Sequence, residues 1–130
     1  MSSGLNILLG LLSGFVVITI FQAVMSRRSR AREGTPIGPL PTDFAHLAHA
    51  DTLVWFHSPT CGPCRAMHRD VATLSSQGKL VEVDVSQHLD VARVFSVMVT
   101  PTTVHVRDGH IVAVRTGVLR EDALGALAAR

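Results

Sequence analysis

Two cysteines separated by two residues are the side chains in this sequence best suited to chemistry. They are Cys61 and Cys64, within the stretch SPTCGPCR, and the 130-residue chain contains no other cysteine. A pair at this spacing can be a redox-active dithiol, half of a metal site or a small structural disulfide. The secondary structure predicted around the pair is needed to choose among these three.

The flanking residues predict that the pair lies where a strand turns into a helix. The run TLVWFH (52–57) is apolar and rich in β-formers, which is typical of a buried strand. From Cys61 to about Ser76, apolar residues recur at helical spacing. At a helix N-terminus, unpaired amide N–H groups and the helix dipole stabilise a thiolate. We therefore predict that Cys61 is the nucleophile, and that Cys64, one turn later, resolves the mixed disulfide.

The rest of the soluble part alternates between helical and strand patterns. The first two strands flank a helix, so they are expected to pair in parallel through a right-handed crossover. Asp108-Gly109 suits a positive-φ hairpin turn. The further predicted elements are a short helix capped by Asp43, a strand at 79–85, a helix at 91–97, hairpin strands at 102–107 and 110–115, and a last helix at 121–129.

The N-terminal region predicts a membrane anchor. Leu5 to Met25 carries no charge over 21 residues, enough for a helix of roughly 30 Å across a bilayer. A signal peptide fits less well, because no basic residue precedes this stretch and its apolar core is longer than usual. Gly10 and Gly14 have the spacing that lets two spans pack, which is weak support for a homodimer.

Basic residues follow the span and set its expected orientation. Arg27, Arg28, Arg30 and Arg32 cluster after it, so we expect the N-terminus outside and the domain in the cytoplasm, with the extracytoplasmic side as the alternative. The stretch EGTPIGPLPT (33–42) predicts a semi-extended tether. The predicted division is an anchor at 1–26, a linker at 27–42 and a domain at 43–130.

The charge of the domain argues against nucleic-acid binding. The formal net charge of the chain is +2, from 12 basic and 10 acidic side chains. Without the four clustered arginines the balance is mildly acidic, and no basic face interleaved with aromatic residues is present.

The order of these features resembles the thioredoxin family. The resemblance rests on strand 52–57, Cys61-Gly62-Pro63-Cys64, Val99-Thr100-Pro101-Thr102 before a hairpin, and Gly117 before the last helix. It implies an α/β thioredoxin-like three-layer fold, with a central mixed sheet flanked by helices. It also implies a thiol–disulfide oxidoreductase that needs no cofactor and reduces protein disulfides. An electron-donor reductase would then reduce the enzyme's own disulfide again.

The same resemblance implies a substrate-binding surface around the redox-active disulfide Cys61–Cys64. Its members would be Gly62, Pro63, Thr100, Pro101 and Gly117. In the family, the proline that matches Pro101 follows a cis peptide bond and lies against the dithiol.

The sequence departs from the family at two positions near the cysteines. Thr60 stands where thioredoxins usually have tryptophan, and Trp55 stands where they have a buried acid that assists proton transfer at the second cysteine. The lysine that accompanies this acid would fall nearest Leu80. We therefore hypothesise that Cys64 gives its proton to water or to a polar group such as His57, which slows oxidation of the dithiol or shifts its pH dependence. Trp55 is equally compatible with simple core packing.

Two other interpretations of the cysteines remain open from the residues alone. His57, Cys61, Cys64 and His68 have the composition of a Cys2His2 metal site, which would suit a membrane-bound copper or zinc protein or metallochaperone. A permanent disulfide is disfavoured by its very small loop and by the expected cytoplasmic location. The other histidines, which show no ligand pattern and are expected to be solvated or partly buried, are His46, His49, His88, His105 and His110.

Overall fold

The computed structural model describes residues 2–130, apart from the side chains of Ser2 and Ser29. The helices are α1 Ser2–Arg30, a 3₁₀ helix Thr42–Ala48, α2 Gly62–Arg65, α3 His68–Ser76, α4 Leu89–Val94 and α5 Glu121–Ala128. The strands are β1 Asp51–His57, β2 Leu80–Asp84, β3 Thr102–Arg107 and β4 His110–Thr116.

The four strands form one mixed sheet in the order β2-β1-β3-β4. β1 pairs in parallel with β2 and antiparallel with β3, and β3 pairs antiparallel with β4. Asp108 and Gly109 both have positive φ, at 48° and 77°, in the turn of the β3–β4 hairpin. The predicted parallel pair, the hairpin and the thioredoxin-like three-layer fold are therefore confirmed.

Strand β1 is the centre of the fold because both of its faces are buried. Val54 and Phe56 pack into one apolar cluster, with residues of α4 and the 3₁₀ helix. Leu53 and Trp55 pack into a second cluster, with residues of α2, α3 and α5. Burial on both sides explains why β1 is a continuous apolar run rather than an alternating one.

Two local predictions differ from the structure. The single helix predicted from Cys61 to Ser76 is two helices, α2 and α3, separated at Ala66–Met67. The first short helix is a 3₁₀ helix that begins after Pro41, and the side chain of Asp43 does not cap it. The first difference is a break inside the predicted helix, and the second concerns the type of helix and the residue at its N-terminus.

Residues 33–37 are attached to the sheet rather than forming a free tether. Gly34 N–H donates to the Ile111 carbonyl at 2.6 Å, and Ile111 N–H donates to the Thr35 carbonyl at 2.9 Å. Ile37 N–H donates to the Gly109 carbonyl at 2.8 Å. The segment thus covers the otherwise open edge of β4.

Side chains reinforce this attachment at the end of α1. One carboxylate oxygen of Glu33 accepts from the Val114 N–H and from Arg115 Nη1, each at 3.0 Å. Arg32 Nη2 donates to the Val94 carbonyl at 3.0 Å, on α4. The domain is therefore fixed relative to the C-terminal end of α1.

Among the histidines without a ligand pattern, His105 is deeply buried, and a carboxylate at the start of β1 accounts for its burial. His105 is 1% exposed, and its Nε2 lies 2.7 Å from a carboxylate oxygen of Asp51, whose other oxygen accepts from Arg107 Nε at 2.9 Å. The hydrogen bonds from His105 and Arg107 hold the pKa of Asp51 below its ordinary value. His105 is thus a structural residue, remote from the cysteines.

Candidate active site

Cys61 and Cys64 lie at the junction between β1 and α2 and are joined by a disulfide. Cys61 occupies the N-cap position of α2, and its Sγ accepts the Cys64 N–H at 3.2 Å. Pro63 lies in the first turn, where its missing N–H costs no hydrogen bond. Cys61 is 8% exposed and Cys64 is 1% exposed, so Cys61 is the sulfur closer to solvent.

The structure brings the Thr100-Pro101 loop to the same end of the sheet as the cysteines. The Thr100–Pro101 peptide bond is cis, as the family resemblance implies. Gly117 has a φ of 95°, which is accessible to glycine with little strain, and its N–H donates to the Pro101 carbonyl at 2.9 Å. This bond ties the end of β4 to the start of β3.

A cavity of about 410 Å³ opens between this loop and α1. Four of the residues predicted to bind substrate line it, namely Pro63, Thr100, Pro101 and Gly117. Gly62 does not line it and is exposed at the start of α2. The remaining lining residues are Val99 and Thr116 from the domain and Phe21, Gln22, Met25 and Ser26 from α1.

The α1 residues in this cavity were missed by sequence reasoning. Phe21 and Met25 are ordinary members of an apolar span, and no local pattern shows that this end of the helix lies opposite the cis-proline loop. Their position follows from the hydrogen bonds of residues 33–37 to β4, which fix the direction in which the chain leaves α1.

Trp55 lies beneath the cysteines as a fully buried core residue. It belongs to the same apolar cluster as Cys61 and Cys64. Its ring stacks on the ring of His57 with centroids 4.4 Å apart, and it meets the ring of His68 edge-on at 5.6 Å. The indole Nε1 is buried without a hydrogen-bond partner. The expectation that Trp55 is a packing residue therefore fits its surroundings.

Two carboxylates of β2 provide negative charge beside His57. The strand register places Glu82 opposite Trp55, whereas Leu80 is opposite Leu53. The residue opposite Trp55 is thus Glu82, and its carboxylate lies 3.9 Å from His57 Nε2. Asp84 is the register partner of His57, and a hydrogen bond from the Ser86 side chain lowers the pKa of Asp84.

An ion pair holds the start of α5 against the helices that follow the cysteines. Arg120 Nε lies 3.3 Å from a carboxylate oxygen of Asp70 on α3. Arg120 Nη1 also donates to the Ala66 carbonyl at 3.1 Å, at the α2–α3 junction. Neither residue was singled out from the sequence, since their separation along the chain hides the contact.

The alternative of a copper or zinc site gains no support. Across residues 2–130, no group of three or more His, Cys, Asp or Glu side chains is arranged to hold a metal ion. The rings of His57 and His68 have centroids 6.5 Å apart, and both contact Trp55. The two cysteine sulfurs are bonded to each other instead of being arranged with the two histidines as ligands.

Comparison with known proteins agrees with the fold and with the cysteine pair. The thioredoxin family model matches residues 42–130. Mitochondrial thioredoxin of Bos taurus is 28% identical over 120 residues, which cover 87% of this chain and 72% of that protein. Thioredoxin of Bacillus subtilis is 29% identical over 84 residues, which cover 62% of this chain and 81% of that protein.

Solved structures show the same fold. The thioredoxin of Fasciola hepatica superposes with a TM-score of 0.58 at 29% identity, covering 67% of this chain and 86% of its own. Oxidised mitochondrial thioredoxin 3 of Saccharomyces cerevisiae superposes with a TM-score of 0.59 at 22% identity, covering 68% of this chain and 89% of its own.

The two cysteines therefore lie where a thioredoxin carries its redox-active pair, on a fold that the family model matches over the whole soluble domain. This chain belongs to the thioredoxin family and is a thiol–disulfide oxidoreductase.

Proposed function

We propose that the protein reduces protein disulfides, with Cys61 as the attacking sulfur and Cys64 as the resolving sulfur. The observation that carries this assignment is the joined pair itself, with Cys61 at the helix N-cap and closer to solvent than Cys64. The N–H that Cys61 Sγ accepts from Cys64 also favours the thiolate form of Cys61 in the reduced protein.

The reaction would proceed in two displacements that conserve electrons. The Cys61 thiolate attacks one sulfur of the substrate disulfide, and the other substrate sulfur leaves as a thiolate that takes up a proton. Cys64 then attacks Cys61, which forms the Cys61–Cys64 bond and releases the second substrate thiol. The substrate gains two electrons, and a reductase must return two electrons to the protein.

Substrate would bind on the surface formed by Gly62, Pro63, Thr100, Pro101 and Gly117. The cavity between the cis-proline loop and α1 supports this proposal, because four of these residues line it. Gly62 is exposed beside Cys61, and a Cβ at this position would meet no atom within 4 Å. This leaves room for a substrate backbone to approach.

Replacement of each cysteine by serine should separate the two roles. We expect Cys64→Ser to accumulate a mixed disulfide between Cys61 and a disulfide-containing test protein such as insulin, because the resolving step is lost. Cys61→Ser is the matched control and should trap none. Non-reducing gels and mass spectrometry of the adduct measure both. Equal trapping by the two variants would contradict the assignment.

His57 is the group best placed to assist proton transfer at the inner cysteine. Its ring stacks on Trp55, which shares a cluster with Cys64, and the carboxylate of Glu82 lies 3.9 Å from its Nε2. We infer that His57 accepts the proton of Cys64 during the resolving step. The buried acid of other thioredoxins would thus be replaced by an imidazole at the end of the same strand.

The variant His57→Phe should keep the stacking on Trp55 while it removes the proton acceptor. We expect the resolving step to slow by about tenfold or more, since a lost general base typically costs at least that much, and its pH–rate profile to change shape. His68→Phe is the matched control, because His68 also contacts Trp55. The measurement is stopped-flow release of the second thiol across pH 5–9. Identical profiles for both variants would eliminate the role of His57.

We further propose that α1 anchors the protein in a membrane with the domain in the cytoplasm. The stretch Ser3–Arg28 is long and apolar enough to span a bilayer, a test that a signal sequence also meets. Its side chains are exposed except for the half-buried Met25 and Ser26, after which Arg27, Arg28 and Arg30 begin the polar region. The arginines favour the cytoplasmic side. The chain then divides into an anchor at 1–26, a linker at 27–42 and the domain at 43–130.

The side of the membrane can be measured by thiol labelling of the reduced protein. A membrane-impermeant maleimide should label Cys61 in inverted vesicles and not in intact cells, because the domain is expected in the cytoplasm. Detergent-opened membranes, in which both sides are accessible, provide the control for reactivity. Labelling in intact cells would contradict the orientation.

A further inference from the structure

We propose that the anchor forms one wall of the substrate site, so that the preferred substrate is a disulfide in the juxtamembrane segment of another membrane protein. This inference rests on the proposed function and names its substrate class. It begins from the cavity beside Pro63 and the cis-proline loop, which is built from two parts of the chain that are far apart in sequence.

One wall of the cavity is the substrate-binding surface of the domain, and the opposite wall is the last part of the span. Phe21, Gln22, Met25 and Ser26 face Pro63, Thr100 and Pro101 across about 410 Å³. This space can accept a short extended peptide segment. A segment in that position would touch α1 and the cis-proline loop at the same time.

The attachment of residues 33–37 keeps the two walls together. Three backbone hydrogen bonds join this segment to the start of β4 and the hairpin turn, and Glu33 adds contacts to Val114 and Arg115 further along β4. A free linker of this length would let the domain turn away from the anchor, whereas this one is part of the sheet edge. Pro63 and the cis-proline loop therefore remain opposite the end of α1.

The level of the cavity in the bilayer follows from the sequence of α1. Phe21 and Met25 belong to the last turns of the apolar stretch, and the first arginine follows at Arg27. Basic residues mark the headgroup region of a span. The cavity thus lies at the membrane surface, at the depth where a substrate span would leave the hydrocarbon.

The exposed apolar side chains of the domain support the same placement. Outside α1, the exposed large hydrophobic residues in the described part of the chain are Leu89, Met98, Val99 and Val118. Val99 precedes the Thr100–Pro101 bond, and Val118 follows Gly117. Leu89, Met98 and Val99 line a second cavity that shares Val99 and Thr100 with the first.

Val99 and Val118, with Leu89 and Met98 along the second cavity, therefore form an apolar face next to the substrate-binding surface of the domain. A soluble substrate would leave much of that face in water. A juxtamembrane segment, which is apolar where it leaves the bilayer, would cover it. The combination of apolar face, anchor wall and membrane level favours a substrate held in the same membrane.

The test uses the full chain in lipid vesicles, reduced beforehand and freed of reductant, so that one turnover needs no reductase. Two single-span test proteins carry the same intramolecular disulfide. In one it follows the span directly, and in the other it follows a Gly/Ser spacer of about 40 residues, which moves it roughly 35 Å away. Reduction is quenched with acid and measured by mass spectrometry, with soluble insulin as a third substrate.

We expect the juxtamembrane disulfide to be reduced about tenfold faster than the displaced one. Burial of one large apolar side chain of the substrate segment stabilises its binding enough for a ratio of about this size. Phe21→Ala should shrink this ratio towards one, because the anchor wall is lost. Phe15→Ala, on the same helix and outside the cavity lining, is the matched control and should keep the ratio. The ratio is unaffected by a general loss of active protein.

Each other outcome overturns one specific statement. Equal rates for the two test proteins, or the same ratio in the two phenylalanine variants, would refute the anchor wall while leaving disulfide reduction intact. Faster reduction of every substrate by Phe21→Ala would show that α1 covers the site instead of helping to bind substrate, which also refutes the proposal. Failure of the wild type to reduce any of the three substrates would instead refute the proposed function.

Discussion

The pairing of β1 with its two neighbours is the constraint on which the active site depends. β1 runs parallel to β2 and antiparallel to β3. The C-terminal end of β1 and the N-terminal start of β3 therefore lie at the same end of the sheet. Cys61 follows the end of β1, and Pro101 precedes the start of β3. Two segments about 40 residues apart in the chain are thereby brought to one surface by backbone hydrogen bonds.

Burial of β1 on both faces makes that arrangement stable but restricts the residues around the cysteines. Trp55 fills the space beneath them with an indole, so a buried carboxylate has no place there. The polar groups are displaced to the strand end, where His57 lies beside Glu82 and Asp84. The family's chemistry is retained at the cysteines, while we propose that a different side chain takes over the proton transfer that supports it.

The fold was largely predictable because its signals are local. The apolar run of β1, the Asp108-Gly109 turn and the C-G-P-C stretch each specify their own conformation, and their order indicates the family. The attachment of residues 33–37 could not be predicted, since a Pro- and Gly-rich stretch is compatible with both a tether and an edge segment. The placement of Phe21 beside Pro101 depends on that attachment, so it was hidden as well. Likewise, the contact between Trp55 and Glu82 required the strand register.

The central claim is that Cys61 and Cys64 form a reversible couple that works as a reductant. Equilibration of the full chain in lipid with thiol–disulfide buffers of defined potential tests it most directly, with the oxidised fraction measured by alkylation and mass spectrometry. Membership in the thioredoxin family predicts one two-electron transition with a midpoint near that of thioredoxin, about −270 mV, that disappears in Cys61→Ser. A midpoint near about −120 mV, as in strong protein oxidants, or no reversible transition at all, would contradict the claim.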